Sequence, residues 1–298
     1  MRKLQRLCVG TNFTPESDWA LTAGATLART TGAHLYLLHV VHRPALYERV
    51  LHKQHPVDDE LVGRALDHLK TLAASPALAG MPVEYRARVG TPYAELISFA
   101  REQSCDLLVI GSRKRSHLTD LLLGRTAERV LRKATVPVLI AKAVLSDSPR
   151  CVLAPTDFSD ASRPALEEAI ALARRWHARL VFLHVIEPLV QAYAWATDLA
   201  GGEIYVVEPE DLKPEWDALL SQLDLDGVSW EQRTLKGDVA TTVAATAAEL
   251  PADIVVLGTH GRTGLAHALL GSVAEGVARA VDRCVLAVRA GAEPFALP

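Results

Sequence analysis

Residues 258–272 read GTHGRTGLAHALLGS, a run whose glycines, lone arginine and closing serine suit the binding of an anion. Gly258, Gly261, Gly264 and Gly271 leave the main chain uncrowded, so anionic oxygens can approach its amides. Gly271 and Ser272 stand where a helix is expected to begin. The unsatisfied N–H groups and dipole of a helix start favour a phosphate, and the Ser272 hydroxyl adds a donor. Arg262 is placed to pair with an outer phosphate. Pro155-Thr156-Asp157 ends an apolar run elsewhere in the chain, and a carboxylate at such a strand end can accept from ribose hydroxyls. Neither G-x-x-x-x-G-K-[ST] nor G-x-G-x-x-G occurs. By spacing alone the run is also compatible with a flexible connection and a helix cap.

A second run, GSRKRSHLTDLLLGR at 111–125, has the same frame with different chemistry. Lys114 stands where Gly261 does, Arg125 where Ser272 does, Asn12 in the register of Asp157 and Gly10 in that of Pro155. A long side chain at 114 blocks backbone approach, and a cation at a helix start opposes the dipole. Weak or absent nucleotide binding is therefore expected in the first half. Arg113, Lys114, Arg115 and Arg125 are left as a site for another anion, as cations that reach the phosphates of a ligand in the other half, or as a solvated basic face or internal pairs with Asp120 and Glu128.

The two runs belong to one long repeat. CVGTNFTPESDWAL matches VLAPTDFSDASRPAL with Phe13 on Phe158, and His39-Val40 matches His184-Val185. Farther on, Asp106 pairs with Asp253, Gly111 with Gly258, Gly124 with Gly271, Glu128 with Glu275 and Val138 with Val285. A period of this length means duplicated domains rather than a solenoid. In each half, apolar runs alternate with helical patterns. The first half reads as a strand at LQRLCVG, a helix from Thr14 to Thr31 with Thr14 as N-cap and Pro15 in its first turn, and a strand at HLYLLHVV. An amphipathic helix at 57–74, a strand at Val83–Val89, a helix at Thr91–Gln103, a strand at CDLLVIG, a helix at Arg125–Lys133 and a strand at VPVLIAK follow. The second half repeats the series, with helices from Ser159, near 209–222, from Asp238 and from Ser272. Such alternation predicts an α/β fold, with parallel strands, right-handed crossovers and helices on both faces. Ligands then bind outside the carboxyl ends of the strands at a switch point. SDSPR at 146–150 divides residues 1–147 from 148–298.

Composition narrows the classes of function. The 298 residues carry a formal charge of −3, which gives no reason to expect nucleic acid as a partner. No apolar run is long enough to cross a bilayer, and MRKLQRLCVG reads as a strand rather than a leader, so a cytoplasmic protein without membrane insertion is expected. Cys8, Cys105, Cys151 and Cys284 form no C-x-x-C pair and read as buried thiols. His39, His42, His52 and His55 lack the spacing of a closed metal site, and recurrence of His39 as His184 points to shared packing or hydrogen bonding. Residues 187–210 bring Tyr193, Trp195 and Tyr205 to the ligand end of the sheet, either as a surface crossover or as a lid or groove for an apolar ligand. No spacing of a hydrolase nucleophile is present.

With these motifs assembled, the chain resembles the universal stress protein family in its tandem form, over both halves. The family's signature of Gly, two residues, Gly, nine residues, Gly and Ser or Thr is met by Gly258, Gly261, Gly271 and Ser272. Pro155 to Ser159 matches the strand-end pattern of nucleotide-binding members, and Leu-His-Val at 183–185 gives Val185 the role of offering backbone groups to adenine. The resemblance implies two tandem five-stranded parallel sheets with helices on both faces. They are Rossmann-like, of the adenine nucleotide alpha hydrolase-like kind, and pack around a pseudo-twofold axis through their last strands. It implies ATP or a close adenine nucleotide in the second half, with Mg a candidate companion and neither FAD nor NAD expected. Thr156, Asp157, Thr259, Arg262 and Val273 complete the expected contacts. The expected role is a nucleotide-responsive regulator of stress survival. Slow ATP hydrolysis through a water held by His260 or Asp157, an interaction scaffold or apolar-ligand binder, and further homodimerisation remain as alternatives.

Overall fold

Strands buried on both faces form the centre of the molecule because their sequences are apolar without alternation. The computed structural model describes residues 2–42, 56–112, 123–187, 207–259, 270–289 and 295–296. The first half runs β1 (Arg2–Lys3), β2 (Arg6–Thr11), α1 (Pro15–Thr31), β3 (His34–His42), α2 (Pro56–Ala73), β4 (Val83–Gly90), α3 (Pro92–Glu102), β5 (Leu107–Gly111), α4 (Arg125–Lys133) and β6 (Val138–Ala141). The second runs β7 (Cys151–Pro155), α5 (Arg163–Trp176), β8 (Arg179–Ile186), α6 (Lys213–Leu220), β9 (Trp230–Lys236), α7 (Val239–Glu249), β10 (Ile254–Gly258), α8 (Ser272–Ala280), β11 (Cys284–Val288) and β12 (Phe295–Ala296).

The two expected five-stranded sheets are one sheet. Its order is β4-β3-β2-β5-β6-β11-β10-β7-β8-β9, parallel within each half and antiparallel only where β6 meets β11. Leu139 opposes Leu286 at that seam. The two are equivalent in the repeat, so the pseudo-twofold axis passes between them. β1 and β12 add a short parallel ladder that the sequence did not suggest. One apolar cluster joins α1, α2, α5 and α6 to one face of the sheet, and a second joins α3, α4, α7 and α8 to the other.

Local chemistry explains the element ends. The expected cap of α1 is present: Thr14 precedes Pro15, and the Ser17 hydroxyl accepts the Thr14 N–H at 3.1 Å. The helix expected from Ser159 begins instead at Arg163. Asp157 Oδ1 accepts the Ser159 N–H at 3.0 Å and its hydroxyl at 2.6 Å, and this local turn competes with helix. The helix near 209–222 is divided into a tight turn at Pro209–Leu212 and α6. Asp106 and Asp253, paired by the repeat, each clamp a strand start. Asp106 Oδ2 accepts the N–H groups of Gln5 and Arg6 at 2.8 and 3.0 Å, and Asp253 Oδ2 those of Arg150 and Cys151 at 2.6 and 3.0 Å.

Candidate nucleotide site at the switch point

The strand order within the second half is β9-β8-β7-β10-β11, so the chain leaves β7 toward one side and β10 toward the other. This is the switch point at which the carboxyl ends open a crevice. β7 and β10 are paired as Val152 with Ile254 and Leu153 with Val255. Continued along the strands, that register sets Thr156 level with Gly258. Pro155, Thr156, Asp157, Gly258 and Thr259 are thereby brought together from positions about a hundred residues apart.

The turn after β7 is built by hydrogen bonds that begin at Thr156. Its N–H donates to Leu183 O at 2.9 Å, its Oγ1 lies 3.1 Å from Ser162 Oγ, and it accepts the Phe158 N–H at 3.1 Å. Phe158 takes a positive φ of 63°, which turns the chain back over the sheet. Its ring packs 4.3 Å from that of His184 and edge-on to Trp216 at 4.9 Å. The His184 Nδ1–H donates to Thr156 O at 2.8 Å. Asp157 thus lies in a braced turn, with the direction of its carboxylate set by the two bonds from Ser159.

β8 brings Val185 to the same end. Leu183 O bonds to Thr156 and Ile186 O to Gly237, so odd-numbered residues of β8 direct their polar groups toward β7 and even-numbered ones toward β9. Val185 therefore faces the side of β7, two residues past the last pair of that ladder, Pro155 with Leu183. Its N–H and C=O have the direction that pairing with the edge of a flat heterocycle requires.

The start of α8 closes the other side. Gly271 N–H donates to Thr259 O at 2.8 Å, and Thr259 N–H to Val288 O at 2.9 Å. A Cβ on Gly271 would stand 3.3 Å from Thr259 O, so the glycine lets the helix start close against the strand end. Ser272 is exposed, and Val273 is 48% exposed despite being apolar. Gly261, Arg262 and His260 lie outside the described residues, as do Arg113, Lys114, Arg115, Asp120, His52, His55 and the greater part of the 187–210 insert.

The first half builds the same turn with different occupants. Phe13 has φ 61°, stacks on His39 at 4.4 Å and lies 5.0 Å from His68. His39 Nδ1 is bonded to Thr11 O at 2.9 Å, which accounts for the recurrence of this histidine. Burial holds His39 below the usual histidine range, reinforced by His68 and partly offset by that bond. Asn12 Oδ1 accepts the Thr14 hydroxyl at 2.8 Å. Gly10, in the register of Pro155, is overlain by Leu96 of α3, whose Cδ2 would lie 2.7 Å from a Cβ there. Gly124 N–H reaches Ser112 Oγ at 3.4 Å, a longer contact than Gly271 makes.

Two functional-looking features escaped the sequence reading. The first is a four-residue ion ring at the axis: Arg132 meets Glu275 at 2.7 Å and Glu128 at 3.4 Å, while Arg279 meets Glu275 at 2.6 Å and Glu128 at 3.3 Å. Burial raises the Glu275 pKa, but the two arginines outweigh it and hold the carboxyl below its ordinary value. The second is Lys142, 5% exposed, whose ammonium enters the end of α8. For Lys142 a signal was present: it and Arg289 each follow the last apolar strand of a half.

A family model for the universal stress protein family matches residues 3–142 and again 150–289. The chain belongs to the universal stress protein family, in a tandem form. It is 29% identical to a universal stress protein of Mycolicibacterium smegmatis, over 95% of this chain and 96% of that protein. It is 27% identical to one of Mycobacterium tuberculosis, over 97% of this chain and 98% of that protein. The crystal structure of a universal stress protein from Archaeoglobus fulgidus superposes with a TM-score of 0.69 at 22% identity, covering 96% of this chain and 98% of that one, and shares the fold. No helix among the described residues is long and apolar enough to cross a membrane.

Proposed function

We propose that this universal stress protein binds ATP, or a close adenine nucleotide, in its second half and acts as a nucleotide-responsive regulator of stress survival in the cytoplasm. The observation that carries this reading is the convergence at one switch point of Gly258, Gly271-Ser272 at the head of α8 and the braced Asp157 turn. The residues fit the group. The first turn of α8 offers amides and a positive dipole end to phosphates, with Ser272 as an added donor and Gly261 and Arg262 as further contacts from the sequence between β10 and α8. Asp157 is the ribose acceptor, Val185 the backbone partner of adenine, and the exposed Val273 an apolar contact at the rim. Mg would share the charge of the phosphates when bound. The first half, with Leu96 over Gly10 and Arg125 at the head of α4, supports the fold without being a second nucleotide site.

The double substitution Gly261→Lys with Ser272→Arg, which copies residues of the first half, is expected to abolish ATP binding measured by calorimetry. An unchanged affinity in the folded double variant would refute the site.

A further inference from the structure

The helix that offers its start to phosphate is gripped at its other end by the opposite half. Lys142 follows β6 of the first half, yet its Nζ donates to three carbonyls at the end of α8: Ala278, Arg279 at 3.2 Å and Val281 at 2.7 Å. These belong to the last turn and cap, where a helix leaves carbonyls without intrahelical partners. The arrangement is reciprocal. Arg289, the counterpart of Lys142 after β11, donates to Ala134 O at the end of α4. The ion ring of Glu128, Arg132, Glu275 and Arg279 joins the flanks of the same two helices.

We propose that Lys142 is a positioning residue for the nucleotide site of the second half, fixing α8 from the end opposite the phosphates. The proposal rests on the nucleotide reading above. Its physical basis has two parts. With nine residues, α8 spans about 13 Å, so a shift at its carbonyl end is transmitted along a rigid rod to Ser272. A cation at the negative end of the helix also offsets that end of the dipole, leaving the positive potential at the other end less cancelled. The first half thereby contributes to a site that it does not line.

The charge on Lys142 is poised to be lost. Burial lowers its pKa to about 8, opposed by the nearby Asp282. Of the arginines of the same segment, Arg279 is engaged with Glu275 and Glu128, and Arg283 lies 3.5 Å from Asp282. The protonated form grips α8 below about pH 8, so nucleotide affinity falls as pH rises through that value.

The test uses the full chain and ATP, with affinity read by calorimetry and amide exchange read at residues 272–275. Lys142→Met is expected to weaken ATP binding about three- to tenfold at pH 7 and to speed that exchange. Lys142→Arg should retain both and abolish the loss of affinity above pH 8. Asp147→Asn, which removes the contacts of the connecting stretch with Thr26 and Arg29 of α1, away from α8, should leave ATP affinity unchanged. Wild-type affinity and exchange in Lys142→Met would overturn the proposal, as would an equal effect from Asp147→Asn. If Lys142→Met does not fold, identical pH profiles for the wild type and Lys142→Arg would overturn it. If the wild type binds no ATP, the nucleotide reading fails, and exchange at 272–275 still reports whether Lys142 holds α8.

Discussion

Gly111 keeps its place in a half that has lost the small residues of the motif at 114 and 125, and the reason is packing. A Cβ there would stand 2.7 Å from the carbonyl carbon of Glu16 and closer still to its oxygen, so the end of β5 abuts the first turn of α1. Backbone cannot move aside as a side chain can. Gly111→Ala is therefore expected to destabilise the protein by about 1–3 kcal/mol in chemical denaturation, with ATP binding to the folded fraction unaltered. Gly124 differs, since a Cβ there meets nothing within 4 Å. The spacing of these glycines was legible in the sequence; which of them answers to packing was not, because it depends on a helix about a hundred residues earlier. The recurring His39 and His184 were legible as a shared structural feature, and the bonds to Thr11 O and Thr156 O supply its content.

At the scale of elements, the pattern of apolar runs located the strands well, and errors fell where side chains compete with the backbone. The late start of α5 follows from the Asp157–Ser159 turn, a bond that a periodicity cannot reveal. What binds the last carbonyls of α4 and α8 was equally hidden. Lys142 reads in sequence as the first polar residue after an apolar strand, and only the antiparallel meeting of β6 and β11 carries it to the end of α8. Its burial has a consequence for stability. The folded state holds Lys142 at about 8 against an ordinary 10.5, so the unfolded chain binds the extra proton between those values. Stability therefore rises with pH across that window, by roughly 3 kcal/mol from this one group. The difference in urea stability between wild type and Lys142→Met, followed from pH 8 to 10.5, should show that rise. A flat difference would contradict it.

At the scale of the whole molecule, ten strands of the described residues form one sheet with a pseudo-twofold axis between Leu139 and Leu286. Its halves are also tied by Arg175 to Thr30 O at 2.9 Å and by the ladder of β1 with β12. Separating the halves would expose both sides of the β6–β11 seam, which is buried from Val138 to Ala141 and from Cys284 to Val288. A single calorimetric transition is therefore expected, with van't Hoff and calorimetric enthalpies in agreement. Two resolved transitions would show that the seam is too weak to couple the halves.

By itself the sequence determined the duplication, the alternation of strands and helices, the family and the loop in which small residues are kept. Those properties are written in periodicity and spacing, which are local or repeat along the chain. Tertiary structure alone decided that the two sheets are continuous, that Thr156 comes level with Gly258, and that a lysine of one half closes the helix of the other. Each of these joins residues from distant elements, and their meeting is fixed by strand order and by the axis between β6 and β11.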